Sequence, residues 1–364
     1  MKILLQKNEL LEKLEFASRF TSSRLASSTS LQGVCLKGEG NTVHFYSTDL
    51  NYYYHSFLKT ENNNKFKIII EPKKIIEFLS LLPEIKIEME IKEKAIVISQ
   101  GKIKGQFPLF SDQEFPFPPE KTGEKQKIKT SFFKESLPFL LFAASTDETR
   151  PALSGVNLLT NGELILVATD GFRLSLVKTK KEKQFPSAII PASFLREIAH
   201  FIKEEKEVDF SYSAVEKVVL FSVGETEFYS RQIEGEFPPF EKVIPQEKKT
   251  TVKLDKEEFL RNVKLISVFA RDFSHIIILE IGKDGARFMP KTADTKQNKS
   301  FQEGEVEGEN QRVAFNYRFL LDFLNVVDTK NIIIEILRSD APVVFKLENN
   351  PDYLHIIMPV RIQE

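Results

Sequence analysis

The sequence is short of most features that mark catalysis, secretion or membrane insertion. It has one cysteine, Cys35, inside the apolar stretch 31–36. No internal disulfide can form, which fits a reducing cytosol, and a free cysteine in such a run reads as a small core hydrophobe. The five histidines (His44, His55, His200, His275 and His355) have no metal-ligand spacing to one another or to Cys35. No apolar run reaches the ~18 residues of a membrane helix. The opening stretch 1–7 lacks the h-region and cleavage site of a secretory signal. A P-loop, a dinucleotide fingerprint and a nucleophile elbow are all missing. An excess of one charge is missing too: 51 basic against 52 acidic residues give a net charge of −1. Conventional DNA-binding domains are basic, so a hold on nucleic acid cannot come mainly from global charge.

What is present is a threefold repeat. The 364 residues, 41% apolar and 28% charged, suit two or three soluble domains. Three segments share a β-rich run, a break, then a short amphipathic helix. The breaks fall at Pro72, Pro191 and Asn316, 119 and 125 residues apart. Proline and asparagine both suit a helix start, since proline forfeits no useful N–H at N1 and asparagine caps orphan amides. A second set of helical patterns runs over 8–20, 131–144 and 256–270. Their first apolar anchors, Leu10, Phe133 and Phe259, are 123 and 126 apart. Asp255 with Glu258 makes a capping-box pattern. A third marker covers two units: Thr48-Asp49 and Thr169-Asp170, the Asp residues 121 apart, each closing one apolar run and opening another as a strand-end turn.

Two linkers also match, Glu114-Phe-Pro-Phe-Pro-Pro and Glu236-Phe-Pro-Pro-Phe. Proline stiffens such a segment while its phenylalanines pin it to a domain surface. The boundaries therefore fall near 120 and 245, giving domains 1–120, 121–245 and 246–364. Each is expected to hold two helices and about eight short strands, among them 34–36, 43–48, 52–58, 66–70, 85–91, 95–99 and 104–107 in the first. Strand-rich sequence with segregated helices is α+β with antiparallel sheets, not a doubly wound fold. The polar stretch 291–311 reads as a loop-bearing hairpin.

Four motifs carry a family resemblance. They are Val167-Ala-Thr-Asp-Gly-Phe-Arg-Leu174, Thr149-Arg-Pro-Ala-Leu-Ser-Gly-Val156, Glu234-Gly-Glu-Phe-Pro-Pro-Phe-Glu-Lys-Val-Ile-Pro245 and Ile357-Met-Pro-Val-Arg361. In order and at this repeat period, they resemble the bacterial DNA polymerase III beta subunit, the replicative sliding clamp family, over essentially the whole chain. Phe172 stands where the family usually has His, Pro239-Phe240 where it has Asp-Tyr, and Lys242 where Arg is common.

The resemblance implies a DNA-clamp fold and a non-catalytic ring around duplex DNA that tethers the polymerase, the clamp loader and other motif-bearing proteins, without a cofactor. Size agrees: a domain of ~120 residues has a radius of gyration of ~13–14 Å, so three in a ring leave too narrow a hole and six leave roughly 35 Å. That makes a head-to-tail homodimer, expected in the bacterial cytoplasm. Enclosure retains DNA without the salt-dependent grip of many phosphate contacts. The cations that the resemblance points toward DNA are Arg24, Lys73, Lys74, Arg150, Arg196, Lys203 and Lys264.

The resemblance also implies a hydrophobic peptide pocket. From the second domain it takes Leu153, Thr169, Gly171, Phe172, Arg173, Leu174, Pro238, Lys242 and Val243. From the third it takes Asn316, Phe319, Val344, Ile356, Met358, Pro359 and Val360. Adaptable Met-containing walls accept short motifs from several partners. Phe107, Leu109, Leu265 and Ile266 are expected at the dimer seam. Two other classes explain less of the sequence: a β-rich scaffold that binds no DNA, and a cytosolic enzyme using Asp170 and Arg173. In the second case Asp170 is more simply a turn residue bonding its own backbone.

Overall fold

The computed structural model describes residues 1–22, 29–110, 114–120, 123, 125–147, 149–161, 163–179, 187–202, 207–272, 274–291 and 298–361. The chain forms two compact units, Met1–Thr130 with Phe201–Gln232 and Ser131–His200 with Ile233–Glu364. All strand pairings among the described residues are antiparallel.

The first unit contains a four-stranded sheet in the order Lys2–Gln6, Lys86–Ile91, Ala95–Gln100, Ile103–Pro108. Its six-stranded sheet runs Val34–Thr48, Tyr52–Ile70, Thr226–Arg231, Val218–Val223, Glu207–Ser213, Gln126–Lys129. The helices Lys7–Arg19 and Pro72–Ser80 pack together, burying Leu10, Leu14 and Ala17 from one and Ile75 and Leu79 from the other. That is the i, i+3/i+4 stripe of an amphipathic helix. Beneath them Phe20, Tyr54 and Phe228 form a ring cluster with centroids 5.6–5.7 Å apart.

The second unit contains a nine-stranded sheet, in the order Ala188–Pro191, Gly155–Asn161, Glu163–Thr169, Arg173–Thr179, Asn350–Ile357, Val343–Leu347, Asn331–Ile336, Thr250–Asp255, Glu305–Gly308. Its four-stranded sheet runs Ser300–Glu303, Gly285–Pro290, Ile276–Gly282, Gln311–Asn316. The helices Lys256–Ala270 and Tyr317–Val326 pack together over a core holding Phe259, Phe288, Phe315, Phe323 and Phe345. Both starts are capped. Glu258 N–H donates to Asp255 Oδ1 (2.9 Å), and Arg318 N–H donates to Asn316 Oδ1 (3.0 Å). The carboxylate of Glu258 lies 3.5 Å from Arg261.

Several expectations change. The pairs 34–36/43–48 and 52–58/66–70 are each one continuous strand, because the Gly40 region is a bulge inside the ladder and not a strand end. With Lys2–Gln6 added, the described residues of the first third form six strands, not about eight. The helix expected over 131–144 is two short ones, Thr130–Ser136 and Pro138–Leu141, since Pro138 has no N–H to continue the ladder. Pro72 is the first helical residue, but Pro191 ends a strand, paired with Gly155, and its helix starts at Ala192. In the stretch 291–311, Ser300–Glu303 does make a hairpin with Gly285–Pro290. After Gly304 the chain changes sheets, and Glu305–Gly308 pairs with Thr250–Asp255.

The linker phenylalanines pin as expected. Phe115 is buried beside Cys35 and Ile69, and Phe117 meets Tyr46 edge-on at 5.0 Å. In the other unit Phe240 is buried among Val167, Leu174, Leu176, Val344 and Ile356, with Phe237 against them. Each fully buried phenylalanine is worth about 1.5–3 kcal/mol.

Candidate functional site

The site is built on the turn that joins Glu163–Thr169 to Arg173–Thr179. Thr169 Oγ1 donates to the Arg173 carbonyl (2.6 Å) and accepts from Gly171 N–H (3.1 Å). Asp170 Oδ1 accepts from the N–H groups of Phe172 (2.9 Å) and Arg173 (3.0 Å). Gly171 sits at φ 91°, a left-handed position that suits glycine. The turn holds Phe172 outward, 57% exposed. Thr48–Tyr52 repeats this hydrogen-bond pattern atom for atom, at 2.7–3.0 Å.

Arg173 turns inward. Its Nε donates to Asp170 Oδ2 (3.0 Å) and its Nη1 to Asp322 Oδ2 (2.6 Å). Its guanidinium lies 4.6 Å from the Phe319 ring centroid and 5.5 Å from that of Phe142. Both oxygens of Asp170 are thus engaged, one by the turn and the other by Arg173. Among the described residues no three metal-ligating side chains cluster.

The C-terminal run closes the other side. Met358 N–H donates to the Phe172 carbonyl (2.8 Å), and Val360 N–H donates to that of Ala314 (2.8 Å). Phe172 and Phe319 face each other, nearly parallel, with centroids 6.5 Å apart. Leu153, on the 3-10 turn Pro151–Ser154, and Met358, Pro359 and Val360 are half-buried, while Pro238, Lys242 and Val243 are exposed. Phe172, Val243 and Met358 thus leave apolar side chains accessible to solvent.

Four of the expected pocket residues are buried and not exposed. Leu174, Val344 and Ile356 are buried in the cluster around Phe240, and Thr169 is buried in its own turn. They form the floor, because side chains alternate along a strand and theirs face the layer that Phe237 and Phe240 cover. Asn316 is partly buried, and its side-chain oxygen is committed to the helix cap. Under the floor His355 is fully buried, with Nδ1 2.8 Å from Ser175 Oγ and its ring stacked on Phe323 at 4.9 Å. Burial, then the charge of Arg173, hold its pKa well below the usual histidine value. Sequence reading missed Phe142, Asp322 and His355. Asp322 had a signal, since it lies three residues after Phe319 on one helix face.

Of the cations expected at DNA, Lys73, Lys74, Arg196 and Lys264 are exposed on helices. Arg24 and Lys203 lie outside the described residues. Arg150 is exposed but pairs with Asp147 (3.2 Å), and its Nη1 lies 3.3 Å from where a Cβ on Gly171 would stand. It therefore borders the turn that holds Gly171. Of the expected seam residues, Leu265 is 53% exposed, whereas Ile266 is buried at 3%. Adjacent helical residues point about 100° apart, so both cannot face outward. Val268 and Phe269, both exposed, share the outer face with Leu265. Phe107 is half-buried against Phe78 (5.4 Å), and Leu109 is half-buried beside a bridge to Ile70.

Among the described residues no helix is long and apolar enough to cross a membrane. Residues 1–119, 127–239 and 241–361 match, in order, the models of the N-terminal, central and C-terminal domains of the DNA polymerase III beta subunit. The chain is 27% identical to the beta sliding clamp of Bacillus subtilis, over 99% of this chain and all of that one. It is also 27% identical to the beta sliding clamp of Treponema pallidum, over the full length of both. The solved structure of the DNA polymerase III beta subunit from Thermotoga maritima superposes with a TM-score of 0.91, at 26% identity and full coverage of both chains. Three consecutive domain matches that together span nearly all of it make this chain a member of the DNA polymerase III beta subunit family.

Proposed function

We propose that the chain is a DNA sliding clamp, a non-catalytic processivity factor in which two copies close head-to-tail around duplex DNA. The observation that carries this is the ordered run of three beta-subunit domains along residues 1–361. On this reading the domains divide near 120 and 245, and the protein works in the bacterial cytoplasm. The near-neutral charge of −1 suits enclosure over tight binding, because each phosphate contact adds salt-dependent grip. Exposed Lys73, Lys74, Arg196 and Lys264 supply loose contacts to the backbone, together with Arg24 and Lys203.

The polymerase, the clamp loader and other partners dock through a short hydrophobic peptide. Its seat is the surface around Leu153, Phe172, Phe319, Val243 and Met358, with Pro238, Lys242, Pro359 and Val360 at the rim and Arg150 at the edge. The dimer seam uses Phe107 and Leu109 from one copy and the outward Leu265 face from the other. Ile103–Pro108 is the last strand of its sheet, and an open edge favours pairing with a second chain.

The test is retention on DNA. The protein loaded onto nicked circular DNA is expected to stay bound through gel filtration and to be lost once the circle is cut. Equal loss from circular and linear DNA would contradict enclosure.

A further inference from the structure

We infer that Arg173 and Asp322 are positioning residues that hold the mouth of the peptide groove in shape, and that Arg173 does not read the charge of the bound segment. The inference rests on that groove being a peptide site. Arg173 is only 10% exposed, and its Nε and Nη1 are taken by Asp170 and Asp322. Phe142 and Phe319 stand against the guanidinium. Two carboxylates around one guanidinium leave a local charge of about −1, so an acidic residue on an incoming peptide gains nothing there.

What the pair does is geometric. Asp170 is fixed by two N–H groups of its own turn. Arg173 extends that rigid turn across to Asp322 on the helix Tyr317–Val326. The Met358 N–H to Phe172 carbonyl bond ties the same turn to the C-terminal run. These two links keep Phe172 opposite Phe319 at 6.5 Å. Phe172 is too exposed for packing alone to hold it. The Asp322 side chain is itself 45% exposed, so burial does not account for its placement. A lysine at 173 would keep the charge but lose the planar fork that grips two carboxylates at once.

The test uses the full-length protein and two labelled peptides, Gln-Leu-Ser-Leu-Phe and Gln-Leu-Asp-Leu-Phe, read by fluorescence anisotropy. Arg173→Lys, which keeps the charge, is expected to weaken both peptides about tenfold and equally, and Asp322→Asn to weaken both, the acidic one somewhat less because a negative charge is gone. Asp322→Glu should recover much of the loss, and amide exchange at Met358 should quicken in Asp322→Asn. Selective strengthening of the acidic peptide by Asp322→Asn would make Arg173 a direct contact and overturn the inference. So would wild-type affinity for both peptides in that variant. If the wild type bound neither peptide, the peptide reading would fall by itself. Unchanged exchange at Met358 in Asp322→Asn would then still overturn the positioning role.

Discussion

Leu50 and Gly171 occupy the same left-handed position in two copies of one turn. Their φ angles are 77° and 91°, and the Thr-Asp pairs before them, Thr48-Asp49 and Thr169-Asp170, make the same hydrogen bonds to the residues that follow. A side chain at such a φ costs about 1–2 kcal/mol. Gly171→Ala is therefore expected to lower the unfolding free energy by that amount, with its new Cβ 3.3 Å from Arg150 Nη1. Leu50→Gly should be neutral to mildly stabilising, because relief of that strain is only partly offset by about 0.4–1 kcal/mol of unfolded-chain entropy. Urea unfolding of the two variants checks the order. A larger loss in Leu50→Gly would mean that the leucine's contacts outweigh its backbone strain.

The turn also shows why part of the protein was legible in sequence. Thr-Asp at strand ends encodes a local hydrogen-bond set, and local chemistry survives translation into structure. The capping residues Asp255 and Asn316 and the pinning Phe115 and Phe240 were legible for the same reason. Which side of a surface a residue serves was not. Leu174 and Phe172 are two positions apart and equally apolar, yet one is floor and the other wall, because the turn between strands reverses the alternation. Leu265 and Ile266 differ only by helical phase. The Arg173–Asp322 pair joins residues 149 apart in sequence, a relation no local pattern holds.

The division into wall and floor predicts two distinct mutant behaviours. Phe172→Ala should weaken the Gln-Leu-Ser-Leu-Phe peptide while changing stability by less than about 0.5 kcal/mol, as surface changes do. Leu174→Ala should cost about 2–5 kcal/mol of stability, because it opens a cavity under the sheet. Anisotropy and urea unfolding on the same preparations separate the two. A stability loss in Phe172→Ala as large as that in Leu174→Ala would erase the distinction.

Stability should also fall on the acid side. His355 resists protonation when folded, through burial first and then the charge of Arg173, and burial lowers the pKa of His44 as well. Below the unfolded histidine value of about 6.5 the unfolded chain binds more protons, so stability drops by up to about 1.4 kcal/mol per pH unit for each such group. Above that pH these groups contribute no slope. Replacing His355 with Phe and Ser175 with Ala removes both ends of the His355–Ser175 bond, and with them the 3.5 Å contact of Ser175 Oγ to Tyr353 Oη. The double variant should lose less stability than the wild type between pH 6.5 and 5. An identical decline in both would place the acid sensitivity elsewhere.

The seam can be tested through one helix turn. Leu265, Val268 and Phe269 point outward from Lys256–Ala270, while Ile266 points into the core. A charge at 265 should cost the monomer little but desolvate badly between two copies. Leu265→Glu is therefore expected to give a folded monomer, with the helical signal kept and the mass halved by light scattering. Ile266→Glu buries an unpaired carboxylate and should unfold the unit itself, since the cost is several kcal/mol against a total stability of about 5–15. A Leu265→Glu protein that remained dimeric at micromolar concentration would move the seam off this face. The expected Leu265→Glu monomer should also fail to stay on circular DNA, because two copies are needed to close around it.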